Sequence, residues 1–469
     1  MKVLAIDQGT TGTKAFTYDD EGRFKLVFNA NVKQHLPRQG WVEHDVSELF
    51  GHVETSIKKA GKVDAIGLAN QGETVVAFDA KTGNPIHHAI VWQDDRTKDV
   101  CAKLKAEGAE KLTFAKAGLP LDPYFSASKF RWLLDNVKMA KELHEQGRLR
   151  LGTTDAYFLY RLTGAFVTDV TTASRTSLMS IDTLQWDDDL CQLFGVPREC
   201  LPEIRATTGP FGANITASMV DQQAALFGHG CVKPGDGKIT FGTGAFALCL
   251  LGNERPKQDH SGLLPTVAWK IQDAKAEFAV DGGVYNAGSA VNWAKGLGLF
   301  KDFDEINSFE NPTAVSRGVV FVPALSGLAC PHWDRNASGL WLGMGLDTTR
   351  EDMMQALLEG IALRATEVLN VMTRGSNRGN VISIDGGLSN NPYFGQFLSN
   401  ALDRRVVVAG SADLTALGIA RMAMVGAGAK TLPQLPPPAK QYAPTQPLSA
   451  ALHSRFGIAV LRSKGWKAF

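Results

Sequence analysis

The first residues of the chain combine glycines, hydroxyls and a carboxylate in a pattern suited to binding phosphate. In residues 3–22, VLAIDQGTTGTKAFTYDDEG, an apolar run precedes Asp7, the sequence GTTG follows at Gly9–Gly12, and a second apolar-leaning run ends at the turn 19–22. Glycine lets backbone N–H groups approach an anion, threonine hydroxyls donate, and a carboxylate at a strand end can hold hydrated Mg²⁺ beside phosphates. The stretch predicts a β-hairpin with a phosphate-binding bend, although an ordinary hairpin has the same local signature.

Two later stretches repeat this design. Residues 239–246 read ITFGTGAF, and residues 385–391 read DGGLSNN after the predicted strand 381–384 and before a predicted helix. Helix N-termini behind glycine loops are ready anion sites. Two such loops far apart predict two similar domains that close on one nucleotide.

Further polar candidates follow predicted strands. The sequence NQGE at 70–73 follows the predicted buried strand 63–69, and QDDR at 93–96 follows residues 89–92. Ligands of α/β proteins bind at the carboxyl ends of strands, so Glu73 and the group at 94–96 are expected to face one cleft. For each charge the alternative is a solvated turn. Asp221 precedes an apolar run, where capping a helix is the simpler interpretation.

Composition narrows the class of protein. The chain has 469 residues, 44% hydrophobic and 21% charged, with a net charge of +1, which predicts two or three domains and no nucleic-acid or membrane-surface partner. Six scattered cysteines without CxxC spacing argue against a zinc site or a disulfide framework. With no apolar run long enough to span a bilayer, a cytoplasmic protein without membrane contact is expected.

The remaining pattern indicates the elements that carry these residues. Helices are predicted at 46–60, 155–162, 182–194 and 353–372, and a turn-rich boundary at 232–237. We expect one domain at 1–230 and a second at 231–469, joined near 228–237 and able to close over a substrate. The GxxxxGK[ST] loop, a GxGxxG within a βαβ unit and the protein-kinase motif set are all absent from the sequence.

The chain resembles the FGGY family of carbohydrate kinases, within the sugar kinase, hsp70 and actin fold group, and among its members the glycerol kinases. The matching stretches occur in family order: DQGTTGTKA (7–15), GWVEHD (40–45), ETVVAFDAKTGNPI (73–86), AIVWQDDRT (89–97), DPYFSASKFRWLLDNV (122–137), TASRTSLMSIDTLQWDD (172–188), DQQAALFG (221–228), TFGTGAF (240–246) and DGGLSNN (385–391). The resemblance implies an α/β fold of two actin/hsp70/hexokinase-like, ribonuclease H-like domains with a cleft between them. Domain 1–230 would carry the substrate and the first phosphate loop, and domain 231–469 the nucleotide.

The resemblance also implies an ATP-dependent transfer of the γ-phosphate to a primary hydroxyl of a small polyol or sugar. The nucleotide would be bound by Thr10, Thr11, Lys14, Thr243, Gly244, Gly288, Asn292, Gly387 and Asn390. Asp7 and Asp221 would position Mg²⁺, and Asp221 would accept the proton of the attacking hydroxyl. The acceptor would lie among Glu73, Trp92, Tyr124, Asp221, Gln222 and Phe246. A homodimer or other homo-oligomer is expected.

Two departures concern the acceptor. Glycerol kinases usually carry an arginine at the position of Gly72, and Asp94 stands where other sugar kinases have an aspartate. Glycerol is therefore the leading candidate, and a tetritol, a pentitol or a xylulose- or ribulose-type ketose is the alternative, since the pocket is expected to gain room at Gly72 and an acceptor at Asp94.

A third departure concerns regulation. The link 206–221 is shorter than in bacterial glycerol kinases, which predicts no inhibition by fructose 1,6-bisphosphate.

An hsp70- or actin-like ATPase without a small-molecule acceptor is the alternative from another class, and a binding-only pseudokinase is a further one. Asp7, Asp221 and both glycine loops are intact, which argues against a pseudokinase.

Overall fold

The computed structural model describes residues 1–256, 262–373, 379 and 381–468. The strands are β1 (Lys2–Gln8), β2 (Gly12–Asp19), β3 (Phe24–Asn31), β4 (Gln34–His35), β5 (Glu43–His44), β6 (Ala65–Asn70), β7 (Val75–Asp79), β8 (Ala89–Ile90), β9 (Leu149–Thr153), β10 (Val167–Asp169), β11 (Glu203–Arg205), β12 (Thr208–Gly212), β13 (Ile215–Val220), β14 (Gly237–Phe241), β15 (Ala245–Gly252), β16 (Leu264–Trp269), β17 (Glu277–Val284), β18 (Val320–Val322), β19 (Leu340–Leu342), β20 (Val381–Gly386), β21 (Arg405–Val408) and β22 (Lys440–Tyr442).

The helices are α1 (Val46–Ala60), α2 (Lys98–Ala106), α3 (Glu110–Ala117), α4 (Ser126–Asn136), α5 (Lys138–Glu145), α6 (Thr154–Thr163), α7 (Val170–Ala173), α8 (Asp188–Phe194), α9 (Asp221–Gly228), α10 (Gly288–Gly296), α11 (Ala314–Arg317), α12 (Arg350–Met372), α13 (Pro392–Leu402), α14 (Leu414–Gly426) and α15 (Ala450–Ser463). Short 3₁₀ helices lie at Arg198–Cys200, Phe303–Ile306, Gly387–Asn390 and Trp466–Ala468. Among the described residues, no helix has both the length and the hydropathy needed to cross a bilayer.

The amino-terminal half is built on a six-stranded sheet in the order β12-β13-β6-β1-β2-β3. Strands β1, β2 and β3 form an antiparallel meander, which contains the predicted first hairpin, and β6 and β13 extend it in parallel with β1. The carboxyl ends of β1, β6 and β13 therefore meet at one edge of the sheet, next to the bend of the first hairpin.

The carboxyl-terminal half repeats this arrangement. Its seven-stranded sheet has the order β16-β17-β15-β14-β20-β21-β22, in which β14, β15 and β17 form the meander and β20 and β21 follow in parallel with β14. The second predicted hairpin is β14–β15, so both glycine bends occupy the same place in their sheets. The two halves are therefore two copies of one α/β design.

Helices α9 and α14 pack against each other between the two sheets. A Cβ atom on Gly418 in α14 would lie 1.8 Å from the Ala224 carbonyl oxygen, and a Cβ on Gly228 in α9 would lie 2.0 Å from the Leu414 carbonyl oxygen. The helix backbones are thus in direct contact, with apolar residues of both sheets in the surrounding core. Helix α14 also packs on β1, β6 and β13, so a helix from residues 414–426 covers the sheet of the first half.

The link before Asp221 is a tight hairpin. Strands β12 and β13 pair antiparallel, and the two residues between them, Ala213 and Asn214, have φ of 48° and 60°. Positive φ at both central residues is the signature of a two-residue β-turn. The link therefore has no additional loop between these strands.

The contact of α9 with α14 gives a stability prediction. Gly418→Ala should lower the free energy of unfolding by about 3 kcal/mol, because its Cβ overlaps a backbone oxygen and the helices must move apart. Urea unfolding followed by circular dichroism measures the change. Gly51→Ala is the matched control: Gly51 lies inside α1, where a Cβ atom would have no neighbour within 4 Å, so the substitution should raise stability by about 0.5–1 kcal/mol. Equal effects of the two substitutions would contradict the close crossing.

Candidate active site

Three candidate residues lie together because three parallel strands end at one sheet edge. In the register of the sheet, Asp7 of β1 is opposite Ala69 of β6, and Asn70 is opposite Val220 of β13. Asp221 and the segment 71–73 follow directly after these strand ends. The sheet thus brings Asp7, Glu73 and Asp221, all distant in sequence, to one place.

The carboxyl groups of Asp7 and Asp221 both have raised pKa values. Burial raises the pKa of Asp7 to about 7, and the charge of Asp221 adds to the rise. Burial also raises the pKa of Asp221 to about 7, with a further contribution from Glu73, while Lys238 and Arg175 oppose it. Raised pKa values near neutrality suit a group that takes up a proton during a reaction.

Asp221 does not cap helix α9. It is the first residue of the helix, the cap position is Val220, and the cap makes no side-chain hydrogen bond. The simpler interpretation of Asp221 as a helix cap is therefore wrong. Its carboxylate remains available to a ligand.

The first glycine bend is linked to its surroundings through side chains. The N–H of Gly9 donates to the Gly12 carbonyl at 2.9 Å and closes the bend. Trp92 Nε1 donates to Thr10 Oγ1 at 2.8 Å, and Lys14 Nζ donates to Asp413 Oδ1 at 2.6 Å. The predicted phosphate loop therefore contacts both the predicted acceptor pocket and the start of α14.

The second glycine bend is joined to the start of helix α10. The N–H of Gly288 donates to the Gly242 carbonyl at 2.9 Å, and the N–H of Ser289 donates to the Thr243 carbonyl at 3.0 Å. A Cβ on Gly244 would lie 2.6 Å from the Val284 carbonyl, so this position is limited to glycine. The predicted Asn292 is exposed, one turn into α10.

The third loop lies beside the second. Strands β14 and β20 are parallel with Phe241 opposite Gly386, whose φ is +88°. The 3₁₀ turn that follows contains Gly387 and the exposed Asn390. The second and third loops and the start of α10 thus share one edge of the seven-stranded sheet.

Contacts between the halves bring the two sheet edges together. Lys238 Nζ, on β14, donates to Gln222 Oε1 at 2.6 Å and to Thr240 Oγ1 at 3.2 Å. Since Gln222 is next to Asp221, Lys238 connects the second hairpin to the sheet edge of the first half where Asp221 lies. Burial lowers the pKa of the Lys238 ammonium, and the carboxylates of Asp385 and Asp221 oppose that shift.

Two of the predicted acceptor aromatics, Trp92 and Tyr124, lie together, and Tyr124 is close enough to Glu73 to feel its charge. The rings of Trp92 and Tyr124 meet edge to face with centroids 5.5 Å apart. Glu73 is 4% exposed, has φ of 57°, and its Oε1 accepts from Arg175 Nε at 2.7 Å. A left-handed backbone at a glutamate is strained, and such strain is concentrated at functional sites. Phe246, on β15, is 41% exposed.

The loop that carries Tyr124 is held by a buried lysine. Lys129 Nζ donates to the carbonyls of Pro123, Tyr124 and Phe125 at 2.5, 2.8 and 3.3 Å. Burial lowers the pKa of Lys129 to about 8, against the opposing charge of Glu73. Lys129 therefore fixes the backbone behind the aromatic wall of the pocket.

The structure does not show the two changes expected in the pocket, which are an extra acceptor at Asp94 and more room at Gly72. The Asp94 carboxylate is buried, receives Arg96 Nε and Nη2 at 2.8 Å each, and accepts from the Val42 N–H at 2.7 Å. It is therefore not available as an extra acceptor, and its prediction as a substrate ligand is not supported. A Cβ on Gly72 would lie 2.7 Å from Val220 Cγ2, so Gly72 does not open the pocket on that side.

Three buried cations in or beside this site were not identified from the sequence: Lys129, Arg175 and Lys238. Arg175 lies within the matching stretch 172–188, and Lys238 directly precedes the second glycine loop inside the mostly buried strand β14. A lysine at an inward position of a buried strand is the signal that indicates such a residue.

Comparisons with known proteins agree with this geometry. The model of the FGGY family of carbohydrate kinases, N-terminal domain, matches residues 2–230, and that of the C-terminal domain matches residues 237–427. A glycerol kinase from Thermus brockianus is 40% identical over an alignment of 490 positions, gaps included, that covers 99% of each chain. The crystal structure of Plasmodium falciparum glycerol kinase with ADP has a TM-score of 0.90 at 31% identity and 98% coverage of both chains. A xylulose kinase from Lactobacillus acidophilus, with a TM-score of 0.85 at 23% identity, covering 98% of this chain and 96% of its own, shares the fold alone.

The fold and the site define a two-lobed kinase of small molecules. The chain belongs to the FGGY family of carbohydrate kinases. The predicted family, the resemblance to glycerol kinases, the two-domain α/β fold and the ATP-dependent kinase activity are thereby confirmed.

The raised pKa of Asp221 gives a prediction about pH. Because the unfolded carboxyl releases its proton near pH 4 and the folded one near pH 7, the folded state loses stability as pH rises through this window. Asp221→Asn removes that titration, so without nucleotide and with a chelator the variant should be more stable than the wild type, by about 1–3 kcal/mol above pH 7.5 and by less at pH 5.

Urea unfolding at pH 5 and pH 8 measures this difference. The exposed Asp273 provides the control, since Asp273→Asn should change stability equally little at both pH values. A gain for Asp221→Asn that is larger at pH 5 would contradict the raised pKa.

Proposed function

We propose that this kinase transfers the γ-phosphate of ATP to a primary hydroxyl of glycerol. The observation that carries the proposal is the placement of Asp7, Glu73 and Asp221 at one sheet edge, facing the glycine loops of the other half. Relatives named glycerol kinase are about 40% identical over nearly the whole chain, which supports glycerol as the acceptor.

In this proposal the triphosphate lies between the two hairpin bends. Backbone N–H groups and the hydroxyls of Thr10, Thr11 and Thr243 would donate to phosphate oxygens, as glycine-bearing turns do elsewhere. Lys14 would add a positive charge once released from Asp413. The nucleoside would lie against the start of α10 and the 3₁₀ turn, the location of Gly288, Asn292, Gly387 and Asn390.

The donor set near the phosphates fits Mg²⁺. This ion is usually held by one or two carboxylates together with phosphate oxygens and water, and Asp7 and Asp221 supply two adjacent carboxylates. When bound, Mg²⁺ would neutralise charge on the phosphates. In the part of the chain that the structure describes, no group of three acidic, histidine or cysteine side chains forms a ready cage, which agrees with an ion held mainly by the nucleotide.

The acceptor would bind beside Asp221. Its carboxylate would take the proton of the attacking hydroxyl, and Glu73 and Gln222 would bind the remaining hydroxyls. Trp92, Tyr124 and Phe246 would cover the C–H faces of the polyol. The buried Asp94 and the close-packed Gly72 favour a short polyol over a pentitol or ketopentose.

Other features of the chain follow as parts of this proposal. We place the substrate half at 1–230 and the nucleotide half at 231–469, in a cytoplasmic enzyme that forms a homodimer or other homo-oligomer. The two-residue turn at Ala213 and Asn214 supports an enzyme without inhibition by fructose 1,6-bisphosphate.

The acceptor preference is tested by an ADP-release assay with glycerol, tetritols, pentitols, xylulose and ribulose. The kcat/KM for glycerol should exceed that for each longer acceptor by at least about 10-fold, since Val220 fills the space beside Gly72 and the Asp94 carboxylate is already bound within the protein. A pentitol or ketopentose that surpasses glycerol would contradict the proposed acceptor.

Asp221 is tested by the substitution Asp221→Asn. It should lower kcat by about 10²- to 10⁴-fold, because an amide cannot accept the proton, and leave the Kd for ADP within about threefold. Turnover is measured by ADP release and binding by calorimetry. Asp273→Asn, an exposed carboxylate, should retain wild-type turnover. Wild-type kcat in Asp221→Asn would remove this residue from its proposed role.

A further inference from the structure

Arg175 connects the acceptor pocket to the other half of the molecule. It lies just beyond α7, and its side chain is 4% exposed. Its Nε donates to Glu73 Oε1 at 2.7 Å, and its Nη2 donates to Asp281 Oδ2 at 3.0 Å. Since Asp281 is on β17 of the seven-stranded sheet, one guanidinium group holds carboxylates from both halves.

The third nitrogen of this guanidinium has no partner. Nη1 is buried and forms no hydrogen bond within the residues that the structure describes. The Cζ atom lies 5.9 Å from the ring centre of Tyr124 and 5.5 Å from that of Phe125, which stabilises the positive charge but provides no hydrogen-bond acceptor. A buried N–H of a charged group without an acceptor is costly, so Nη1 is a donor that a ligand could satisfy.

The position next to Glu73 cannot supply this donor. Residue 72 is glycine, and its Cβ position is already 2.7 Å from Val220 Cγ2. Lys129, the other cation whose charge acts on Glu73, is engaged with three backbone carbonyls of the Tyr124 loop. In the described part of the pocket, Arg175 is the cation that contacts Glu73.

We propose that Arg175 is a specificity-determining residue of the acceptor site, which holds Glu73 and donates from Nη1 to a hydroxyl of the polyol. The inference rests on the proposed polyol kinase function. The Glu73 carboxylate is bound at Nε, and Nη1 lies on the other side of the planar guanidinium, so the hydroxyl that accepts from Nη1 is a different one from the hydroxyl that donates to Glu73. An acceptor that lacks the hydroxyl bound by Nη1 leaves the guanidinium donor unpaired and is rejected.

The inference predicts a coupling between Arg175 and one hydroxyl of the acceptor. Kinetics are measured with glycerol, propane-1,2-diol and propane-1,3-diol for the wild type, Arg175→Gln and Arg175→Lys. For the wild type, the diol that lacks the contacted hydroxyl should lose about 10- to 100-fold in kcat/KM relative to glycerol. Arg175→Gln should lose a similar factor with glycerol, mainly through KM, but little more with that diol, so the two losses are not additive.

Controls separate binding from a structural role. The KM for ATP and the Kd for ADP should stay within about threefold, and Arg198→Gln, at an exposed arginine paired with Asp188, should leave all three acceptors unchanged. If Arg175→Gln does not fold, Arg175→Lys keeps the charge but has one nitrogen in place of the fork, and the same non-additivity is expected of it.

Three results would count against the inference or against the function on which it rests. Equal fractional losses for glycerol and both diols in the Arg175 variants would mean that Arg175 only supports the structure, and the inference would be wrong. Unchanged discrimination among the three acceptors in both variants, with a wild type that phosphorylates glycerol, leads to the same conclusion. A wild type that phosphorylates none of the acceptors would instead overturn the proposed function.

Discussion

The site depends on the balance between buried carboxylates and buried cations. Glu73, Asp7 and Asp221 lie at one sheet edge, where removing carboxylates from water is costly unless opposite charges lie nearby. Arg175 and Lys238 supply those charges. Each of the two cations also contacts the opposite half of the molecule, so the charges that make the cleft stable also hold its two sides together.

The duplicated sheet explains why one cleft can hold both reactants. Each sheet has an antiparallel meander followed by two parallel strands, and each glycine bend lies at the first turn of its meander. Phosphates need many donors that approach closely, which hairpin bends supply, whereas the acceptor needs a few side chains of defined chemistry. In the proposed arrangement the first half provides the acceptor side chains except Phe246, and each half contributes one glycine bend.

Much of this organisation could be predicted from the sequence, because it depends on local patterns. The hairpins, the helix α1 and the capped helix α12 agree with the pattern of apolar residues, glycines and caps. The helix predicted at 182–194 begins only at Asp188, because Asp187 caps it and Leu184, with φ of 55°, ends the preceding turn.

The parts that could not be predicted depend on contacts between distant residues. Arg175 is 102 positions from Glu73 and 106 from Asp281, and no local pattern relates them. The engagement of Asp94 is local only in part: Arg96 is two positions away, whereas Val42, whose N–H also binds the carboxylate, is 52 positions away. The sequence positions of charges indicate a cleft, but only the folded chain shows which charges neutralise each other.

The packing of α14 on the first sheet has a consequence for how the protein is made. Strands β1, β6 and β13 present apolar faces to a helix that the ribosome synthesises almost 200 residues after β13. Until residues 414–426 have emerged, those faces have no permanent cover, and the nascent chain carries an exposed apolar surface through most of its translation. The first lobe is therefore complete only once helix α14 has docked on its sheet.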